Sequence, residues 1–276
     1  MTTSPIAIKL DARSKELRRL VLRGIAGGRR GHIGSSFSLV EILRVLYDDV
    51  LRYDPKNPSW PERDRCILSK GHGCLALYAV LADKGFFPAA ELDKFCKRDG
   101  ILGGHPERHK VPGVEASTGS LGHGMPIGIG MALNARIDKA NYRVFVVGSD
   151  GESQEGSVWE GALAAAKHNL AELTVLIDYN KQQSYGLVSE VLGLEPILEK
   201  WRSFGFAADE VNGHDVAALR DLLQQIPLDP AKPTAIICHT VKGKGIKRCE
   251  QDLSWHHKTK VSDEELVVLR EGLEEY

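Results

Sequence analysis

From Asp11 to Ile25 apolar residues recur at helical spacing, through Leu17, Leu20, Val21 and Ile25, which gives one helix an apolar face. Ser38, a residue type suited to capping, predicts a second helix running to about Leu51. Pro55, Pro58 and Pro61 then break the chain, and Arg65 to Ser69 reads as a short strand feeding the turn Lys70-Gly71-His72-Gly73. A helix carrying Leu75 to Leu81 follows. Tyr142 to Val147, Leu173 to Tyr179 and Thr234 to His239 are short apolar, β-branched runs bounded by polar or turn residues, the pattern of strands buried on both faces. After Asp215, apolar residues at Val216, Leu219, Leu222, Leu223 and Ile226 mark one face of a further helix. This alternation predicts an α/β fold, with a mostly parallel central sheet and helices on both faces.

Two stretches carry no periodicity. Asp99 to Gly124 is rich in Gly, His, Pro, Ser and Thr, and Thr240 to Lys260 carries Lys242, Lys244, Lys247, Trp255, His256 and His257. Loops of that length inside a compact domain are usually functional or disordered. With no internal repeat and no linker, residues 1–276 read as a single domain.

Composition narrows the function classes. A formal net charge of -1 gives no global basic field of the kind that accompanies nucleic-acid binding. No apolar run approaches the ~20 residues of a membrane span, and Met1 to Leu10 lacks the features of a secretory signal. The five cysteines are scattered and form no C-x-x-C pair, as expected of reduced thiols in the cytoplasm.

The chemistry concentrates where strands end. The strand before Gly148-Ser149-Asp150-Gly151 delivers Asp150 into a glycine turn with a helix behind it, and thirty residues later another strand ends in Asp178-Tyr179-Asn180. Each is an ordinary turn when taken singly. If the two strands are neighbours, Asp150 and Asn180 emerge together at the carboxyl edge of the sheet, where open α/β sheets bind ligands. A carboxylate, an amide oxygen and a backbone carbonyl are hard ligands that, with two phosphate oxygens and a water, complete an octahedral Mg2+. Gly128-x-Gly130 is a weak dinucleotide signal because loop precedes it, and Lys242-Gly243-Lys244-Gly245 lacks the Ser or Thr of a Walker loop.

The Gly-Ser-Asp-Gly segment with its downstream Asn resembles the thiamine-diphosphate motif, although Ser149 departs from the usual Gly-Asp-Gly. That resemblance implies a thiamine-diphosphate-binding fold in which the side chains of Asp150 and Asn180 and the main-chain oxygen of Gln182 hold Mg2+. Gly151 then lets the backbone approach the diphosphate.

Five histidines sit in glycine-rich or loop segments: His32 in Gly31-His32-Ile33-Gly34-Ser35-Ser36, His72, His105 in Gly103-Gly104-His105-Pro106, His123 in Gly119-Ser120-Leu121-Gly122-His123-Gly124, and His256 after Trp255. In order and spacing these segments, from Ala12 to about Lys260, resemble the N-terminal portion of transketolase. The resemblance implies that His32, His72, His105 and His256 line a channel above the thiazolium, contacting sugar hydroxyls and moving protons. It places His72, Gly119, Leu121, His123, Gly151, Glu155 and Asn180 against the cofactor, with Glu155 and Glu160 near a subunit interface. His257 stands where a glycine is usual, which puts the local loop geometry in question.

The chain is expected to carry the family's diphosphate-binding domain alone, with the pyrimidine-binding and C-terminal domains on a separate chain. It therefore resembles one subunit of a split, two-chain transketolase, whose partner chain supplies the glutamate that activates the pyrimidine. The implied assembly is a heterotetramer acting on a sugar or sugar phosphate and moving a two-carbon ketol unit to an aldose. Alternatives are a subunit of another thiamine-diphosphate enzyme, such as a deoxyxylulose-phosphate synthase, or a non-catalytic scaffold.

Overall fold

Five parallel strands form the centre of the computed structural model, which describes residues 4–276, so residues 1–3 of the Met1 to Leu10 segment lie outside the described residues. The strands are β1 (Arg65–Leu68), β2 (Val144–Ser149), β3 (Leu173–Tyr179), β4 (Ala207–Asn212) and β5 (Thr234–His239), in the order β1-β2-β3-β5-β4. Side-chain alternation divides the core. Phe145, Val147, Leu176 and Ile236 face one side of the sheet, and Val144, Val146, Val175 and Ile237 face the other. The first side packs on α1 (Ala12–Gly28), α2 (Ile33–Ser38), α3 (Val40–Val45) and α4 (Cys74–Asp83); the second packs on α5 (Gly124–Ile137) and α6 (Gly156–Lys167). Beyond α6 come α7 (Val188–Val191), α8 (Ile197–Ser203), α9 (Val216–Leu223) and α10 (Asp263–Glu275). Among the described residues no helix is long and apolar enough to cross a membrane.

Helix α1 starts where the sequence predicts, with the Asp11 carboxylate accepting from the Ser14 N–H at 2.8 Å. The second predicted helix begins earlier than expected. Its run opens at Ile33, so Ser38 is the last residue of α2 and not an N-cap; its hydroxyl instead donates to Asp178 Oδ2 at 2.6 Å. A π-helical turn, Leu46–Val50, ends that run. Asp215 does cap α9, accepting from the Ala217 and Ala218 N–H groups.

Three elements carry weak or unread signals. Edge strand β4 exposes Asp209 and Glu210 and shows no apolar run. Helix α5 contains Gly124, Gly128 and Gly130, poor helix formers. Close packing explains one of them, since a Cβ on Gly128 would sit 2.5 Å from Val146 Cγ2 of β2. Helix α10 opens on a capping box, Ser262 with Glu265, a motif legible from sequence.

Candidate active site

Strands β2 and β3 are neighbours, with Ser149 paired to Asp178. Asp150 and Asn180 each follow one of these strands and so emerge side by side, both buried. Asp150 Oδ1 accepts from the Gly151 N–H at 2.7 Å, and its Oδ2 accepts from the Lys181 N–H. Asn180 Nδ2 donates to Asp178 Oδ2 at 3.3 Å, while its Oδ1 accepts from the Gln182 N–H at 3.1 Å. These bonds set the orientation of the amide. The Gln182 carbonyl accepts from Lys242 Nζ at 3.0 Å, as does the Gln183 carbonyl. A carbonyl has two lone pairs, so this contact leaves Gln182 O one position for an ion.

Behind this pair lies a charged network that the sequence did not announce. Asp178 is fully buried and accepts from Lys70, Ser38, Asn180 and Thr240. Burial is the largest single influence and opposes its ionisation, but Lys70 together with the Ser38 and Thr240 hydroxyls holds the carboxyl below the usual range. Asp150 behaves oppositely. Burial, reinforced by the Asp178 charge, pushes its carboxyl up to about 7. Lys242, buried beside Lys70, is pushed down to about 7. A buried carboxylate so costly to ionise, beside an oriented amide oxygen, fits a cation better than an empty solvent pocket. Among the described residues there is no group of three or more His, Cys, Asp or Glu placed to hold a metal ion.

A cavity of about 270 Å³ opens in front of these groups. Its walls include Asp150, Gly151, Asn180 and Gln182 from the strand tips, Gly119 and Leu121 from the long loop, and His32, His72, His105 and His256. The His32 ring lies 5.3 Å from His72, 6.0 Å from His105 and 5.5 Å from His256. Burial, aided by neighbouring imidazoles and by Lys70 and Lys242, pushes His32 and His256 down to about 3 and His72 well below its ordinary value. Burial lowers His105 as well. Neutral imidazoles both donate and accept hydrogen bonds, which suits recognition of hydroxyl groups.

Two expected contacts are not brought to this cavity. His123 and Glu155 are exposed and outside its lining. The reason is local: Gly122 turns at φ 79°, Ser157 Oγ donates to its carbonyl at 2.9 Å, and His123 and Glu155 then flank the starts of α5 and α6. Glu160 is likewise exposed. Conversely, Lys70, Lys242 and Glu152 line the cavity without having been assigned from sequence. Glu152 Oε1 accepts from Ser69 Oγ at 2.6 Å and from the Gly122 N–H at 2.9 Å, tying three segments together. The available signal for Lys242 was its place in a glycine-rich loop.

The family model described as "Transketolase, thiamine diphosphate binding domain" matches residues 11–274. The chain belongs to the transketolase family. It is the thiamine-diphosphate-binding portion of that enzyme family. A subunit of the apulose-4-phosphate transketolase from Actinobacillus succinogenes is 40% identical over 264 residues, covering 95% of both chains. A 6-deoxy-6-sulfo-D-fructose transketolase subunit from a Clostridium species is 39% identical, covering 91% of both. The solved transketolase of Campylobacter jejuni superposes with a TM-score of 0.88 at 28% identity, over 96% of this chain but 43% of that one. This transketolase chain thus spans nearly all of the two subunits and under half of the solved enzyme.

Proposed function

We propose that this chain is the diphosphate-holding subunit of a two-chain transketolase, working with thiamine diphosphate and Mg2+ and with a separate partner chain. The observation that carries the reading is the convergence of Asp150 and Asn180, from adjacent strand tips, on a cavity walled by four neutral histidines. Asp150, Asn180 and the Gln182 carbonyl hold the ion; Gly151, Gly119, Leu121 and His72 surround the cofactor. When bound, the cofactor supplies an electron sink for a two-carbon ketol fragment. This chain's own part is to bind and orient. His32, His105 and His256 hydrogen-bond the donor sugar's hydroxyls and relay protons at their ring nitrogens, while the buried walls exclude water. His123 and Glu155, exposed in the isolated chain, meet the cofactor or the partner only after assembly, in a complex of two copies of each chain. The full-length match to proteins named as transketolase subunits supports the two-chain form. Donor and acceptor are a ketose and an aldose, free or phosphorylated.

The test is reconstitution. The chain is mixed with the product of the neighbouring reading frame, thiamine diphosphate and MgCl2, and ketol transfer from a panel of ketoses is followed. Transfer that requires both chains, and that Asp150→Ala abolishes, is expected. Robust transfer by rigorously partner-free material would overturn the two-chain reading, and absence of cofactor binding by the complex would overturn the enzyme reading.

A further inference from the structure

We propose that His257 is a positioning residue for ketol transfer, stacking on His32 and fixing the ring orientation in which His32 meets the substrate. What the site does rests on the transketolase reading above; the stack itself does not. The two rings lie 4.4 Å apart and 23° from parallel, the closest and flattest of the ring contacts His32 makes. Among the described residues no hydrogen bond reaches either ring nitrogen of His32, so its orientation depends on the rings packed around it. His257 is exposed and absent from the cavity wall, whereas His32 forms part of that wall. It therefore stacks on a wall residue without being part of the wall itself.

The stack is held by the main chain. Gly31 and Lys258 exchange two backbone hydrogen bonds, each 2.9 Å, in an isolated antiparallel bridge, and the Val261 N–H donates to the Arg29 carbonyl at 2.8 Å. This stitches the His257 loop onto the turn that carries His32. The groups facing His32 are His72, His105, His256, His257, Lys70 and Lys242, and burial together with His257 opposes its protonation. The same imidazole also opposes protonation of His105. The stack at position 257 thus holds the orientation of His32, and the imidazole's charge separately opposes protonation of His32.

The experiment compares His257→Ala with His257→Phe in the reconstituted, cofactor-loaded two-chain enzyme, alongside histidine side-chain NMR of the chain alone. Loss of an aromatic stack predicts a fall of about three- to tenfold in kcat for His257→Ala, with KM for the cofactor unchanged. His257→Phe, which keeps the plate, is expected to restore kcat to within about twofold. The His32 ring resonances should move in His257→Ala and hold near their original positions in His257→Phe. Full activity in a folded His257→Ala enzyme, or equal losses in both variants, overturns the proposal. If the wild-type pair transfers no ketol group, the transketolase reading falls, and the NMR comparison decides whether His257 orients His32.

Discussion

The backbone N–H of Asp150 points at the Asp178 carbonyl, 3.4 Å away, so two carboxylates stand at adjacent strand tips with very different surroundings. Asp178 has Lys70, two hydroxyls and an amide; among the described residues Asp150 accepts hydrogen bonds from backbone N–H groups alone. One carboxylate is paired with a cation within the fold, and the other is not.

A pH effect follows from Asp150. Its folded carboxyl is raised to about 7 from 3.8, so across that window the folded chain binds more protons than the unfolded one, and this group's contribution to stability falls as pH rises. Above the window the penalty is complete, and a divalent cation held as proposed would offset it. Mg2+ with thiamine diphosphate should therefore raise the unfolding temperature more at pH 8 than at pH 5. Asp150→Asn should flatten the cation-free pH dependence and remove the Mg2+ response; thermal melts in EDTA and in MgCl2 check both.

Lys70→Met should be severely destabilising. It leaves the Asp178 charge unpaired at full burial, a situation that typically costs about 3–5 kcal/mol. Adding Asp178→Asn to that variant should recover part of the loss. Urea unfolding of the two single variants and the double variant measures this coupling.

His214 reaches the site through the main chain. Its Nδ1 lies 2.8 Å from Glu41 Oε2, and its Nε2 accepts from the Val241 N–H at 2.8 Å, next to Lys242. His214→Ala should cost about 1–3 kcal/mol by orphaning buried partners. It should also weaken cofactor binding several-fold by loosening the Lys242 loop. Unchanged cofactor affinity in titration calorimetry would separate the loop from the site.

Gly128→Ala tests the contact between α5 and β2. The added Cβ would lie 2.5 Å from Val146 Cγ2, and overpacking of this kind costs about 1–3 kcal/mol. The unfolding temperature should drop with little change in the kcat of the reconstituted enzyme.

Much of the sheet is legible because its central strands are short runs rich in apolar and β-branched residues and buried on both faces, as at Leu173–Tyr179 and Thr234–His239. Edge strand β4 escaped notice because its middle, Asp209 and Glu210, faces solvent. Helix α5 escaped because glycines that pack against β2 read as loop. Helix α10 carries its start in the sequence, in the capping box of Ser262 and Glu265.

Sequence alone determined which residues follow strands, and hence that Asp150 and Asn180 are candidates for an ion and the glycine-flanked histidines for a pocket. That information is local, written in strand propensity and turn chemistry. Tertiary structure decided that β2 lies beside β3, that Lys70 crosses 108 positions to neutralise Asp178, that His257 lies against His32, and that His123 and Glu155 stay outside the cavity. Those outcomes depend on the order of strands and the path of two long loops, for which no periodic pattern exists. Charge pairing and ring stacking arise only after distant segments have packed together.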